Sequence, residues 1–210
     1  MPLVTINSSI QESLKKHEIV PDVIDDGFNP SCLLTISYTK EIGVSMGNNL
    51  KPSETKNIPD VFVATDYTPS EKSNASSSNS EPKYTLVLTD PDAPSRTEKK
   101  WSEFCHYIVT GLTIPTDPKS GVSLGKLDIS KGSTLMPYCG PAPPPKTGKH
   151  RYVFLLYKEP QVSHGVLMKP PRDRPTWGTD VPASGVRDWA KKYNLELAGV
   201  NFFYAQNDEQ

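Results

Sequence analysis

No apolar stretch in this chain runs far before a proline, glycine or aspartate stops it. "KYTLVLTDPD", "FCHYIVTGL" and "RYVFLLYKEP" are short, rich in β-branched and aromatic residues, and fenced in this way. That is the composition of strands packed on a pleated, buried surface. "CLLTISYT", "PDVFVATDY" and "LAGVNFFYAQ" read as further strands, the second with its proline at the start, where a ladder tolerates it. The 21 prolines and 13 glycines are spread along 210 residues without a period, so they mark many connections between short elements rather than a collagen-like repeat. Together these patterns predict an all-β sandwich or barrel.

Two stretches break the strand pattern. In "SIQESLKKHEIV", Ser9 and Glu12 have capping-box spacing, and Ile10, Leu14 and His17 fall on one helical face. In "SGVRDWAKKYN", Val186, Trp189, Ala190 and Tyr193 recur at helical spacing, with Ser184 as the N-cap and Asn194 near the stop. A helical segment over residues 1–20 and a second helix late in the chain are therefore expected. Residues 68–82 are polar and serine-rich. They hold too little apolar surface to offset the entropy of ordering and read as a mobile surface loop. With 35% hydrophobic and 22% charged residues, the chain can fill a core, and one domain over residues 1–210 is expected.

A net charge of -1, with no Lys/Arg run longer than a pair, supplies no field for wrapping a phosphate backbone, so nucleic acid is not expected as a partner. No stretch approaches the roughly 18 apolar residues of a membrane span, and no apolar run follows a basic start, so a soluble protein of the cell interior is expected. Cys32, Cys105 and Cys139 are odd in number and far apart, which fits reduced thiols better than a disulfide framework.

Side chains alternate faces along a strand. Tyr84, Leu86, Leu88 and Asp90 share one row, Phe104, His106 and Ile108 a second, and His150, Tyr152, Phe154 and Leu156 a third. If these rows face a common core, Asp90, His106, His150 and Tyr152 converge at its rim. There a carboxylate, two imidazoles and a phenol can wrap a small anion such as phosphate or phosphoethanolamine. Each residue alone has a plainer reading: a satisfied core histidine, or an aspartate capping the turn "DPDAP". Catalytic alternatives lack parts. Asp90 and Asp92 stand beside prolines with no accompanying nucleophile, and no G-x-S-x-G elbow is present. "PPKTGKHR" departs from a phosphate-binding P-loop, with His150 in place of the hydroxyl residue and Pro143 in place of the first glycine. A zinc set of Cys105, His106, Cys139 and His150 lacks paired spacing, and its first two members point to opposite faces of one strand. No enzymatic activity, metal or cofactor is expected.

"DPDAPSR" at 90–96, "FCHYIV" at 104–109 and "GKHRYVFLLY" at 148–157 resemble the signature segments of the phosphatidylethanolamine-binding protein family, also called Raf kinase inhibitor proteins. The "KKH" and "DVI" of the N-terminal segment and the late "NFFYA" are similar to fungal members that inhibit a vacuolar serine carboxypeptidase, carboxypeptidase Y. The resemblance implies a mainly β fold, a two-sheet antiparallel β-sandwich with flanking helices. It also implies a pocket for phosphate or phospholipid head groups, carried over to Asp90, Pro94, Phe104, His106, Ala142, His150 and Tyr152. Phe104 stands where many members have Trp. Ala142 stands where the family usually has Gly before paired prolines, and its methyl narrows the pocket and disfavours positive φ. Pro141 and Pro143 to Pro145 stiffen the rim, and Gly148 turns the chain to deliver His150.

The function implied is inhibition of the carboxypeptidase through Met1 to Lys16 and the rim around His106 and His150, in the cytoplasm or in association with the vacuole. The alternative is a phosphate- or phospholipid-binding regulator of Ras or kinase signalling that inhibits no peptidase.

Overall fold

The computed structural model describes residues 3–65, 81–115, 124–161 and 167–209. Met1, Pro2 and nearly all of the expected loop 68–82 lie outside the described residues. Two helical elements, α1 (Leu3–Lys16) and α2 (Ile19–Asp22), precede the strands β1 (Cys32–Ser37), β2 (Gly43–Val44), β3 (Asn48–Asn49), β4 (Asp60–Thr65), β5 (Tyr84–Asp90), β6 (Phe104–Leu112), β7 (Leu124–Lys126), β8 (Ser133–Met136) and β9 (His150–Lys158). The helix α3 (Val186–Lys192) and the strand β10 (Glu196–Ala205) follow. All six strands expected from the sequence are present. The short β2, β3, β7 and β8 carry too few residues to show a period.

The strands form two sheets, ordered β2-β1-β4-β7 and β3-β10-β9-β5-β6-β8. Pairing is antiparallel except where β3 runs parallel to β10. The smaller sheet alternates. It buries Leu34, Ile36, Val61 and Val63 against the larger sheet and turns Leu33 and Phe62 outward. The larger sheet is covered on both faces: Leu86, Leu88, Phe154 and Leu156 pack toward the smaller sheet, and Val87, Val153 and Leu155 pack under α1 and α3. Double burial explains why β5 and β9 read as nearly continuous apolar runs.

Ile10 and Leu14 of α1 are core residues, as their spacing requires. The helix begins at Leu3 rather than at Ser9, and Ile6, partly buried against the same core cluster as Ile10 and Leu14, extends the apolar face one turn before the cap pattern. His17 lies just past the helix. Its ring rests against Phe202 and Tyr204, and its Nδ1 is 3.0 Å from the Tyr204 hydroxyl.

The second helix starts one residue later than expected, with Gly185 rather than Ser184 at the N-cap. A Cβ at Gly185 would lie 2.7 Å from Glu103 Cβ, so only glycine lets the helix start approach this closely. The buried Glu103 carboxyl accepts the Val186 N–H, satisfying from just before β6 a donor that a serine cap would otherwise take. Ser184 instead bonds the Thr179 hydroxyl at 2.5 Å.

Candidate functional site

β5 ends and β9 begins at the same edge of the larger sheet, so Asp90 and His150 meet there. Beside them is a cavity of about 120 Å³ whose wall includes all seven residues singled out in the sequence: Asp90, Pro94, Phe104, His106, Ala142, His150 and Tyr152. Trp101, Cys139, Ala93 and Gly140 complete the wall with Pro143 and Pro144 of the proline rim.

His106 arrives by a route that simple alternation does not describe. β5 pairs Leu88 with Tyr107 but Thr89 with Cys105, leaving His106 as an extra residue in β6. Such a bulge re-aims a side chain. Phe104 and His106 both face the cavity, Tyr107 and Val109 face the smaller sheet, and Ile108 packs under the helices with Cys105. The expected row of Phe104, His106 and Ile108 is therefore broken after His106, because one residue is unpaired.

The polar groups differ in what they offer. His150 Nδ1 is 2.9 Å from Asp90 Oδ2, and its Nε2 is 3.0 Å from the Thr147 hydroxyl. Both ring nitrogens are taken, so the stiff loop delivers His150 to Asp90 and Thr147 rather than to the open cavity. His106 has one nitrogen to spare. Its Nδ1–H donates to the Cys139 carbonyl at 2.6 Å, and burial lowers its pKa below the ordinary 6.5. At neutral pH the ring is uncharged and Nε2 is an acceptor. Tyr152 complements it: burial raises its pKa well above 10, and its oxygen accepts the Ala142 N–H, leaving the phenol hydrogen to donate. Ala142 is absent from the residues with positive φ, so its methyl brings no backbone strain. Gly148, at φ 76°, supplies the turn expected of it.

One position further along β9, Arg151 is fully buried and faces the other way. Its Nε and one Nη hold both oxygens of Asp92 at 2.8 and 2.7 Å, a two-point contact of the strong kind. The guanidinium also reaches the carbonyls of Glu18 and His17 at 2.7 and 3.2 Å and Asp22 Oδ2 at 2.8 Å. The "DPD" turn thus serves two ends: Asp90 holds a cavity residue and Asp92 holds the N-terminal helical hairpin. Sequence reasoning missed Arg151, whose one signal was its place beside His150. It also missed Arg174, which donates to the Cys105, His106 and Pro137 carbonyls at 3.0, 3.2 and 2.8 Å and so braces the bulge and the rim; a lone arginine in a proline-rich loop carries no such signal.

Two packed sheets with flanking helices, and a small, largely apolar cavity with a few polar groups where β5 ends and β9 begins, define the fold and its candidate binding site. Over residues 41–205 the chain matches the phosphatidylethanolamine-binding protein family, and it belongs to that family. Among its relatives is the carboxypeptidase Y inhibitor of Saccharomyces cerevisiae, 42% identical over 206 residues that cover 93% of this chain and 94% of the relative. The crystal structure of carboxypeptidase Y inhibitor complexed with its cognate proteinase superposes with a TM-score of 0.84 at 40% identity, covering 96% of this chain and 97% of the other. The phosphatidylethanolamine-binding protein from Plasmodium vivax shares the fold, with a TM-score of 0.67 at 21% identity over 94% of this chain and 97% of its own.

Proposed function

We propose that this chain inhibits a serine carboxypeptidase of the carboxypeptidase Y kind, presenting its N-terminal segment and the rim around His106 and His150 to the peptidase. The observation that carries this reading is 42% identity to a carboxypeptidase Y inhibitor over 93% of the chain. The anchoring of α1 adds support, because Arg151 and the buried Ile10 and Leu14 hold this helix in a defined position. A preordered contact surface loses less entropy on binding than a flexible one. The proposed location is the cytoplasm or its vacuolar boundary.

The cavity is the second part of the proposal. A phosphate monoanion carries a hydroxyl and several acceptor oxygens, so it can donate to His106 Nε2 and accept from Tyr152 at once. This pairing suits phosphate itself; in an ethanolamine phospholipid head group, whose phosphodiester carries no hydroxyl, the ammonium would be the donor to Nε2.

Titrating the protein against carboxypeptidase Y while following hydrolysis of a small peptide tests the first part. Stoichiometric inhibition is expected. No inhibition at micromolar protein overturns the reading and leaves the alternative, a phosphate- or phospholipid-binding regulator of Ras or kinase signalling. Ile10 and Leu14 belong to the core, so the N-terminal surface is tested by charge reversal at the exposed Glu12 and Lys16 rather than by deletion. Inhibition should weaken while phosphate binding, read by NMR titration, stays unchanged. Replacing His106 by Gln should weaken phosphate binding about tenfold, the loss of one hydrogen bond worth about 1.5 kcal/mol.

A further inference from the structure

Three thiols share this fold, and they differ in burial and in what surrounds them. Cys105 is fully buried in the layer under the helices, and burial raises its pKa. Cys32 is buried between the sheets with its thiol pushed up to about 12. Its Sγ packs closely on Gly199, where a Cβ would stand 2.6 Å away, and the residue borders a separate cavity on the side of α1. Cys139 is partly exposed and forms part of the cavity wall. Its Sγ makes one weak contact, 3.9 Å from the Gly140 carbonyl, so no bond in the fold depends on the sulfur.

A second observation at the same wall points to a ligand. His106 is 5% exposed. Its Nδ1 is committed to the Cys139 carbonyl, and the Cys139 N–H donates to the His106 carbonyl at 2.9 Å. These bonds lock the two residues side by side and leave Nε2 facing the cavity without a partner among the described residues. The cavity wall therefore includes a cysteine and a neutral imidazole with a free lone pair. A thiol becomes nucleophilic on losing its proton.

We propose that Cys139 is a redox-modification site inside the cavity: its thiol exchanges with small disulfides, and the mixed disulfide fills the cavity and closes it to other ligands. In the exchange, the Cys139 sulfur attacks one sulfur of the incoming disulfide. A new S–S bond forms as the old one breaks, and the departing sulfur leaves as a thiolate with the bonding pair. Cys139 is oxidised and the leaving sulfur reduced, while the Cys139 proton passes to water. A cavity of about 120 Å³ admits small disulfides and excludes bulky ones. A thiol that competes for the space where a ligand sits gives the cavity a redox control, and this last step rests on the ligand-binding reading proposed above.

Methyl methanethiosulfonate, which transfers one methylthio group, is the probe. Native protein is treated with one equivalent and mapped by peptide mass spectrometry. Cys139 should gain the group at least about tenfold faster than Cys32 or Cys105, and dithiothreitol should remove it. The ring resonances of His106 and Tyr152 should shift on labelling, while those of Trp189, on the far face of the sheet, should not. Cys139→Ser should abolish the fast label and keep the thermal unfolding transition.

Equal rates at the three cysteines, or no label before unfolding, overturn the thiol assignment. Labelling that leaves the His106 and Tyr152 resonances unmoved overturns the closure. Inorganic phosphate should slow the labelling. Fast labelling that phosphate does not slow refutes the anion reading of the cavity and leaves the thiol assignment standing.

Discussion

Asp90 and Asp92 stand two residues apart, and they meet His150 and Arg151, which are consecutive. The first pair borders a cavity; the second is sealed, with both side chains at 0% exposure. Alternation along β9 sends the two bases to opposite faces, so one turn holds a cavity-wall group and a structural strut. The strut uses a planar cation that fits a carboxylate at two points, whereas the cavity pair uses a single bond to a titratable ring. Permanence is placed in one and adjustability in the other.

The difference can be broken apart by substitution. The largest effect should come from Asp92→Ala, which leaves the Arg151 guanidinium buried without its main partner and should cost about 3–5 kcal/mol in urea unfolding. Combining Arg151→Met with Asp92→Leu should recover most of that loss. Asp90→Asn should cost less, about 1–3 kcal/mol, as expected for one hydrogen bond to a charged group. A loss at Asp90 equal to that at Asp92 would erase the distinction between strut and cavity pair.

A third buried acid sharpens the contrast because no cation contacts it among the described residues. Glu103 is bonded by the Thr89 hydroxyl at 2.9 Å and the Val186 N–H, and burial raises its pKa from the ordinary 4.5 to about 8. The folded chain keeps this proton where the unfolded chain has released it. Its contribution to stability is complete below pH 4.5 and declines as pH rises toward 8, by about 1 kcal/mol per unit. Glu103→Gln should flatten that decline in denaturant titrations run from pH 5 to pH 8. The smallest effect belongs to Gly148→Ala. A Cβ there meets nothing within 4 Å, so the penalty is the positive φ alone, about 1 kcal/mol. It should weaken the Asp90–His150 coupling in a double-mutant cycle and spare that of Asp92–Arg151.

Much of this was legible from the sequence, for physical reasons that also mark its limit. β5, β9 and β10 announced themselves because burial on two faces demands unbroken apolar runs. The convergence of Asp90, His106, His150 and Tyr152 followed from strand parity and from the family resemblance. Parity failed at Ile108, since a bulge depends on how two strands register and leaves no mark in either one alone. The hydrogen bonds that occupy both nitrogens of His150 were equally hidden, because Thr147 joins them only through the turn made at Gly148. Glu103 could not be read as the partner of a helix start more than eighty residues away.

Arg151 grips the N-terminal hairpin partly through the carbonyl oxygens of His17 and Glu18. Every residue type offers the same carbonyl, so that part of the clamp is blind to side-chain identity at the two positions. The exposed side chains of α1 can then be rewritten, by evolution or by an engineer, without moving the helix that displays them. A scaffold held in this way can take on a new outer surface while its core stays as it is.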